Sequence, residues 1–133
     1  MKSAHKVLVQ LLVAVFAFLP FWLLYLLSDV LFLLMFHLFR YRRPVVRQNL
    51  VNSFPDKTPA EINRLANKYY RHLCDLLVEG IKGLSLSQAQ LEKRFVYRNP
   101  DIFPSDQSAL ILGSHYGNWE WGVLSFSLAN NYK

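Results

Sequence analysis

The stretch Ala109-Leu-Ile-Leu-Gly-Ser-His-Tyr-Gly-Asn-Trp-Glu-Trp121 decides the predicted fold. It opens with four apolar residues, 109–112, a run that is typical of a buried strand. Gly113 and Gly117 then predict a tight loop, and an apolar helical pattern starts near Asn118. A strand, a loop and a helix in this order predict an α/β sheet, in which ligands bind at the carboxyl ends of the strands.

The predicted loop and helix carry a histidine and a carboxylate in a setting that suits base chemistry. His115 lies in the loop, and Glu120 follows five positions later in the first helical turn. A neutral imidazole accepts a proton from a hydroxyl near neutral pH. A carboxylate on its other ring nitrogen would fix the tautomer and stabilise the imidazolium. We therefore predict His115 as a general base and Glu120 as its partner, because the strand–loop–helix setting adds to a spacing that is weak evidence by itself.

The residues around this pair have both a structural and a functional interpretation. Asn118 is either the cap of the helix or part of an oxyanion site with nearby backbone N–H groups. Trp119 either packs against the core or lines an acyl chain. Ser114 is a weak candidate for a hydrolase nucleophile, because the Gly-x-Ser-x-Gly elbow is absent. Cys74, the one cysteine, is predicted as a buried or half-buried thiol, and no clustered ligand set predicts a metal site.

The distribution of charge indicates a membrane partner. Residues 1–50 carry six basic residues against one acidic residue, whereas residues 51–133 carry nine against eight. The positive charge therefore flanks the apolar segment Val7–Phe36, which favours a membrane surface and excludes a nucleic-acid face. Val7–Leu27 is long enough for a transmembrane helix that Pro20 kinks or interrupts, and a monotopic hairpin is the alternative.

The strongest basic cluster consists of Arg40, Arg42 and Arg43. An excess of basic residues after an apolar segment predicts that the rest of the chain lies on the cytoplasmic side. The same side chains are candidates for contact with lipid phosphates. Residues 1–43 thus form the predicted membrane anchor with its basic flank, and residues 44–133 the first part of an α/β domain.

Within residues 44–133 the sequence predicts several helices and two strands. Pro44–Asn52 reads as a short helix, and capping signals at Thr58 and Ser87 predict two helix starts. Phe95–Arg98 and Ser108–Gly113 are the predicted strands.

Three motifs in chain order carry a resemblance to a known family. They are Ser28-Asp29 inside the apolar segment, Tyr41-Arg-Arg-Pro-Val-Val-Arg-Gln-Asn-Leu50 followed by Ser53-Phe-Pro55, and Gly113-Ser-His-Tyr-Gly-Asn-Trp-Glu120. Together they resemble the lipid A biosynthesis (lauroyl/myristoyl) acyltransferases, a branch of the glycerolipid acyltransferases with a His-x4-acid motif. The resemblance implies transfer of a fatty acyl group from an acyl carrier protein thioester to a hydroxyl of a membrane lipid such as a lipid A precursor. It also implies the inner membrane as the location, no cofactor, and His115 and Glu120 as the catalytic pair.

The resemblance also implies the type of sheet. In the family a mixed sheet continues with further strands after the motif helix, so we expect this chain to be an amino-terminal fragment with an incomplete sheet and an uncovered strand edge. A catalytically inactive membrane-anchored fragment, or an accessory protein, is therefore the alternative to an active acyltransferase.

Overall fold

The computed structural model describes residues 2–96, 98, 108, 110, 112–114 and 116–129 of the chain. This part contains six α-helices and one π-helical segment that continues the second helix. They are α1 (Lys2–Phe18), α2 (Phe21–Phe32), the π-helical segment (Leu33–Leu38), α3 (Arg43–Ser53), α4 (Pro59–Gly83), α5 (Gln88–Glu92) and α6 (Trp119–Ala129).

Pro20 separates the first two helices, as the sequence predicts. α1 ends at Phe18, and Pro20 has the extended backbone of a helix cap before α2 begins at Phe21. Proline lacks an N–H group and is tolerated only at the start of a helix. No single helix therefore covers Val7–Leu27. The helix that is long and apolar enough to cross a membrane is Phe21–Leu38 instead.

The helix starts in the following part of the chain confirm the capping signals. The hydroxyl of Thr58 accepts a hydrogen bond from the N–H of Glu61 at 3.3 Å, and the Glu61 carboxylate accepts one from the N–H of Thr58 at 2.8 Å. Ser87 and Gln90 form the same reciprocal pair at the start of α5. Each pair satisfies two backbone donors that the first turn would otherwise leave without partners.

α4 is the centre of the fold. Six of its seven buried positions recur every four residues and form one continuous stripe along the helix: Ile62, Ala66, Tyr70, Cys74, Val78 and Lys82. α2 and the π-helical segment pack along this stripe, where Phe32 and Phe36 meet Tyr70 and Cys74. The contacts run in opposite directions along the two helices, so α2 and α4 are antiparallel. Burial of each large apolar side chain contributes roughly 1.5–3 kcal/mol to this packing.

The predicted α/β sheet is wrong for the residues that the structure describes, which include no strand. Phe95 turns back onto α5, because its N–H donates to the carbonyl of Leu91 at 2.8 Å. Leu110 and Leu112 are 89% and 90% exposed, so the apolar run there packs on no partner strand within the described part. A strand needs a paired neighbour to satisfy its backbone, and an apolar run in the sequence cannot supply one. Tyr97, Ala109 and Ile111 lie outside the described residues.

Candidate active site

Asn118 caps α6, the helix of the His-x4-Glu motif. Its side-chain oxygen Oδ1 accepts a hydrogen bond from the N–H of Trp121 at 3.3 Å. Gly117 precedes it with φ +64°, a left-handed conformation that favours glycine. The Gly-Asn pair that the sequence places in the loop therefore sets the direction in which α6 leaves it.

The start of α6 is held against the last turns of α4. The amide Nδ2 of Asn118 donates to Oε2 of Glu79 at 2.8 Å, and the indole Nε1 of Trp121 donates to the backbone carbonyl of Glu79 at 3.0 Å. Trp121 is buried, with 6% of its surface exposed. It lies so close to Gly83 that an added Cβ there would be 2.7 Å from its Nε1. Glycine at position 83 thus permits the close approach of the two helices.

Two of the predicted site residues, Trp119 and Glu120, begin α6. Glu120 lies in the first turn of α6 and is exposed to solvent. Trp119 is 37% exposed, and its ring packs over Gly113, where an added Cβ would be 3.0 Å from the ring. The loop therefore folds back onto the helix start. His115 lies outside the described residues, and its pairing with Glu120 stays a prediction.

α2 and α4 share a line of polar contacts next to their apolar packing. The hydroxyl of Tyr25 donates to Glu79 at 2.6 Å, and that of Ser28 donates to Asp75 at 2.6 Å. Farther along, Arg71 forms a 3.2 Å ion pair with Asp29. The Ser28-Asp29 motif of the apolar segment therefore has a defined role: it pairs α2 with the charged side of α4.

Lys82 joins the end of α1 to the same region. Its side chain is 6% exposed, and Nζ donates to the carbonyls of Phe16, Ala17 and Leu19 at 2.8, 2.8 and 3.0 Å. Carbonyls at the end of a helix lack intrahelical partners and attract a cation. Burial lowers the pKa of Lys82, and the nearby guanidinium of Arg94 lowers it further.

The basic cluster forms a groove at the other end of α4. An open cavity of about 690 Å³ lies between α3 and the first turns of α4. Three arginines and two amide side chains give it a positive, polar lining with no acidic side chain: Arg40, Arg43, Arg47, Gln48 and Asn63, together with Pro44 and Val51. We call this the basic groove.

The loop before the basic groove is built around two arginines in unusual conformations. Arg40 and Arg42 both have φ +49°, which is uncommon for residues other than glycine. The hydroxyl of Tyr70 donates to the carbonyl of Tyr41 between them and holds the loop. Arg40 and Arg43 line the groove, with the guanidinium of Arg43 over the ring of Phe36, whereas Arg42 precedes α3 and does not line it.

Arg40 and Arg43 of the predicted set line the basic groove, at the opposite end of α4 from the start of α6, which carries Glu120. Asn63 lines the basic groove, and Glu79 contacts the motif helix. The sixteen positions from Asn63 to Glu79 along α4 correspond to about 24 Å at 1.5 Å per residue. One small phosphate group therefore cannot contact both regions at once.

Two other predictions concern reactive or metal-binding groups. Cys74 is fully buried, and burial raises the pKa of its thiol, with Asp75 adding to the effect. The prediction of a buried thiol is confirmed. No group of three or more His, Cys, Asp or Glu side chains lies together in the part of the chain that the structure describes.

The sequence analysis missed Glu79 and Lys82, although α4 contains a signal for each. Lys82 continues the four-residue spacing of the buried positions, and a charged residue on a buried face requires polar partners. Arg71, Asp75 and Glu79 form a second series with the same spacing on the adjacent face. Such a series next to an apolar face indicates polar contacts with a neighbouring helix.

The comparison with known families defines the class of the protein. The chain matches the family model of the bacterial lipid A biosynthesis acyltransferases over residues 2–131 and therefore belongs to that family. Membership confirms the resemblance seen in the sequence and gives the chain a role in acyl transfer, with a lipid acceptor and an acyl donor. No match was found among curated proteins or among solved structures.

Proposed function

We propose that the protein transfers a fatty acyl group from an acyl carrier protein thioester to a hydroxyl of a lipid A precursor at the cytoplasmic face of the inner membrane. The observation that carries this proposal is the family match, which includes the complete Gly113-Ser-His-Tyr-Gly-Asn-Trp-Glu120 motif. The capped start of α6, which holds Glu120 in its first turn, supports it.

In the proposed mechanism His115 removes the proton from the acceptor hydroxyl. The resulting alkoxide attacks the thioester carbonyl, and the tetrahedral intermediate expels the carrier thiolate, which takes the proton back from the imidazolium. Glu120 would stabilise that imidazolium. Both polar atoms of the Asn118 side chain already have partners in Trp121 and Glu79. This favours the cap over the oxyanion role for Asn118, so the proposed oxyanion donors are backbone N–H groups of the loop.

Membrane attachment in this proposal is monotopic, with α2 lying in the interface. α2 pairs along its length with α4, whose opposite face exposes charged side chains such as Arg64 and Lys68. A spanning α2 would draw those charges toward the hydrocarbon, at a cost of several kcal/mol. The outer face of α2 suits lipid contact, since it carries an open apolar groove of about 360 Å³ lined by Leu19, Leu23, Leu26, Leu27 and Val30.

The basic groove is the proposed contact with phosphate groups of anionic lipids. We expect the double variant Arg40→Gln/Arg47→Gln to bind vesicles containing phosphatidylglycerol at least about tenfold more weakly, because each basic residue near an anionic surface contributes about 1 kcal/mol. Vesicle co-sedimentation at two salt concentrations measures the effect. The matched control is Arg64→Gln/Lys68→Gln, which removes the same charge from an exposed face of α4. Equal losses in the two variants would mean that net charge, not the groove, determines binding.

The proposed activity is tested with the intact chain in lipid nanodiscs. A mass-labelled acyl carrier protein thioester is supplied with a lipid A precursor, or with the same precursor in which the reacting hydroxyl is replaced by hydrogen. We expect the labelled ester only with the hydroxyl-bearing acceptor. Free fatty acid in both reactions would indicate a hydrolase. Absence of any product would favour the inactive membrane-anchored protein.

A further inference from the structure

The carboxylate of Glu79 lies where α2 and the start of α6 meet, beside the edge-to-face contact of the Phe21 and Trp121 rings. Oε1 accepts a hydrogen bond from the hydroxyl of Tyr25 on α2 at 2.6 Å, and Oε2 accepts one from Nδ2 of Asn118 at 2.8 Å. The backbone carbonyl of the same residue accepts from the indole of Trp121 at 3.0 Å. One turn of α4 therefore binds both neighbouring elements through a single residue.

The orientation of the Asn118 side chain directs its NH₂ group at the carboxylate of Glu79, which is a suitable acceptor. Its oxygen is occupied by the N–H of Trp121 at 3.3 Å, so its NH₂ group must face Glu79. Tyr25 also presents a hydrogen to Glu79. Two donors thus converge on one side chain, and a carboxylate has two oxygens to accept them, whereas a neutral amide has one.

We infer that Glu79 is a positioning residue that sets the N-terminal turn of α6, and with it Glu120, relative to α2. This inference rests on the proposed function only for its catalytic consequence, since the contacts themselves are independent of it. Glu79 touches none of the proposed reacting groups and acts through Asn118 and Trp121. Charge-assisted hydrogen bonds restrict the first turn of α6 to a narrow range of orientations. Small displacements of catalytic side chains reduce turnover steeply.

The geometry predicts a specific rescue. In Glu79→Gln the new NH₂ group can donate to the hydroxyl of Tyr25 while the amide oxygen accepts from Asn118, so both contacts remain but neither is charge-assisted. A second change, Asn118→Asp, returns a carboxylate to the contact between α4 and the start of α6. The aspartate accepts from the N–H of Trp121 and from the new amide, while the amide oxygen accepts from Tyr25. The double variant has the same net charge as the original chain, and aspartate is a good helix cap.

The primary experiment is amide hydrogen exchange on the intact chain in nanodiscs, which requires no turnover. For Glu79→Gln we expect exchange in the first turns of α6 to become about tenfold faster, because the hydrogen bond from Asn118 loses its charged acceptor. Amides 62–78 of α4 should keep their protection, which shows that the fold persists. Glu79→Gln/Asn118→Asp should return α6 to within about twofold of the original rate. Glu92→Gln, the same change at an exposed residue of α5, is the control and should have no effect on α6.

Kinetics of acyl transfer form the second arm. Glu79→Gln should lower kcat about tenfold with little change in KM for the acceptor, and the double variant should recover it, because positioning affects the reacting turn more than lipid binding. Unchanged α6 exchange in Glu79→Gln, or no recovery in the double variant, would overturn the inference. If exchange in α6 rises in Glu79→Gln and recovers in the double variant, but the original chain shows no acyl transfer, the proposed function is refuted and the positioning role is retained.

Discussion

Replacement of His115 with glutamine is expected to lower kcat/KM for acyl transfer about a thousandfold. General base catalysis by a positioned side chain typically contributes between about a hundredfold and ten-thousandfold, and glutamine keeps the size and polarity of histidine without its basicity. The loss should appear mainly in kcat, because the acceptor hydroxyl still binds but is no longer deprotonated. Turnover of the labelled thioester, as a function of acceptor concentration, separates the two constants.

A second histidine of the chain provides the control. His72 is exposed on α4, and His72→Gln should retain turnover within about twofold of the original chain. Glu120→Gln should lower kcat less than His115→Gln does, since it removes only the stabilisation of the imidazolium. Near-normal turnover in His115→Gln would refute the proposed mechanism.

The sequence predicts the helices of this chain better than its sheet, for a physical reason. Helix signals are local: Thr58 and Glu61 lie within one turn, and each satisfies the other without help from distant residues. The break at Pro20 is equally local. A strand depends on pairing with a segment far along the chain, and the predicted strand at Phe95 instead continues the turn of α5.

In the candidate site, too, the local features can be predicted from the sequence and the long-range contacts cannot. The glycine and asparagine that shape the start of α6 can be identified from the motif itself. Glu79 lies thirty-nine positions before Asn118, and only the packing of α6 on α4 makes it a partner. The basic cluster is evident in the sequence, but only the structure shows that the groove it lines and the start of α6 lie near opposite ends of α4. Residues that act across helices can be recognised in the sequence only as charges at unexpected positions.

Lys82 is such a charge, and its replacement with methionine is expected to destabilise the fold by about 3 kcal/mol. Methionine fits the apolar surroundings and has a similar length, but it donates no hydrogen bond. The carbonyls of Phe16, Ala17 and Leu19 would lose the donor that they share. A hydrogen bond to a charged group contributes about 1.5–3 kcal/mol, and three bonds to one ammonium are less than additive. Urea unfolding in detergent measures the difference in the free energy of unfolding, and the slope of that free energy against urea concentration should be the same for both chains.

Lys68 on the same helix allows a matched comparison. It is exposed, and Lys68→Met should change the free energy of unfolding by less than about 0.5 kcal/mol. Equal effects of the two substitutions would show that the three carbonyl contacts contribute nothing specific. If Lys82→Met is the more destabilising substitution, we expect local stability to fall most where α1 meets α2. Lys82 donates hydrogen bonds to the last carbonyls before Pro20. Gly83, the next residue, admits Trp121 of α6. The same turn of α4 therefore contacts the end of α1 on one side and α6 on the other, so weakening one contact should also weaken the other.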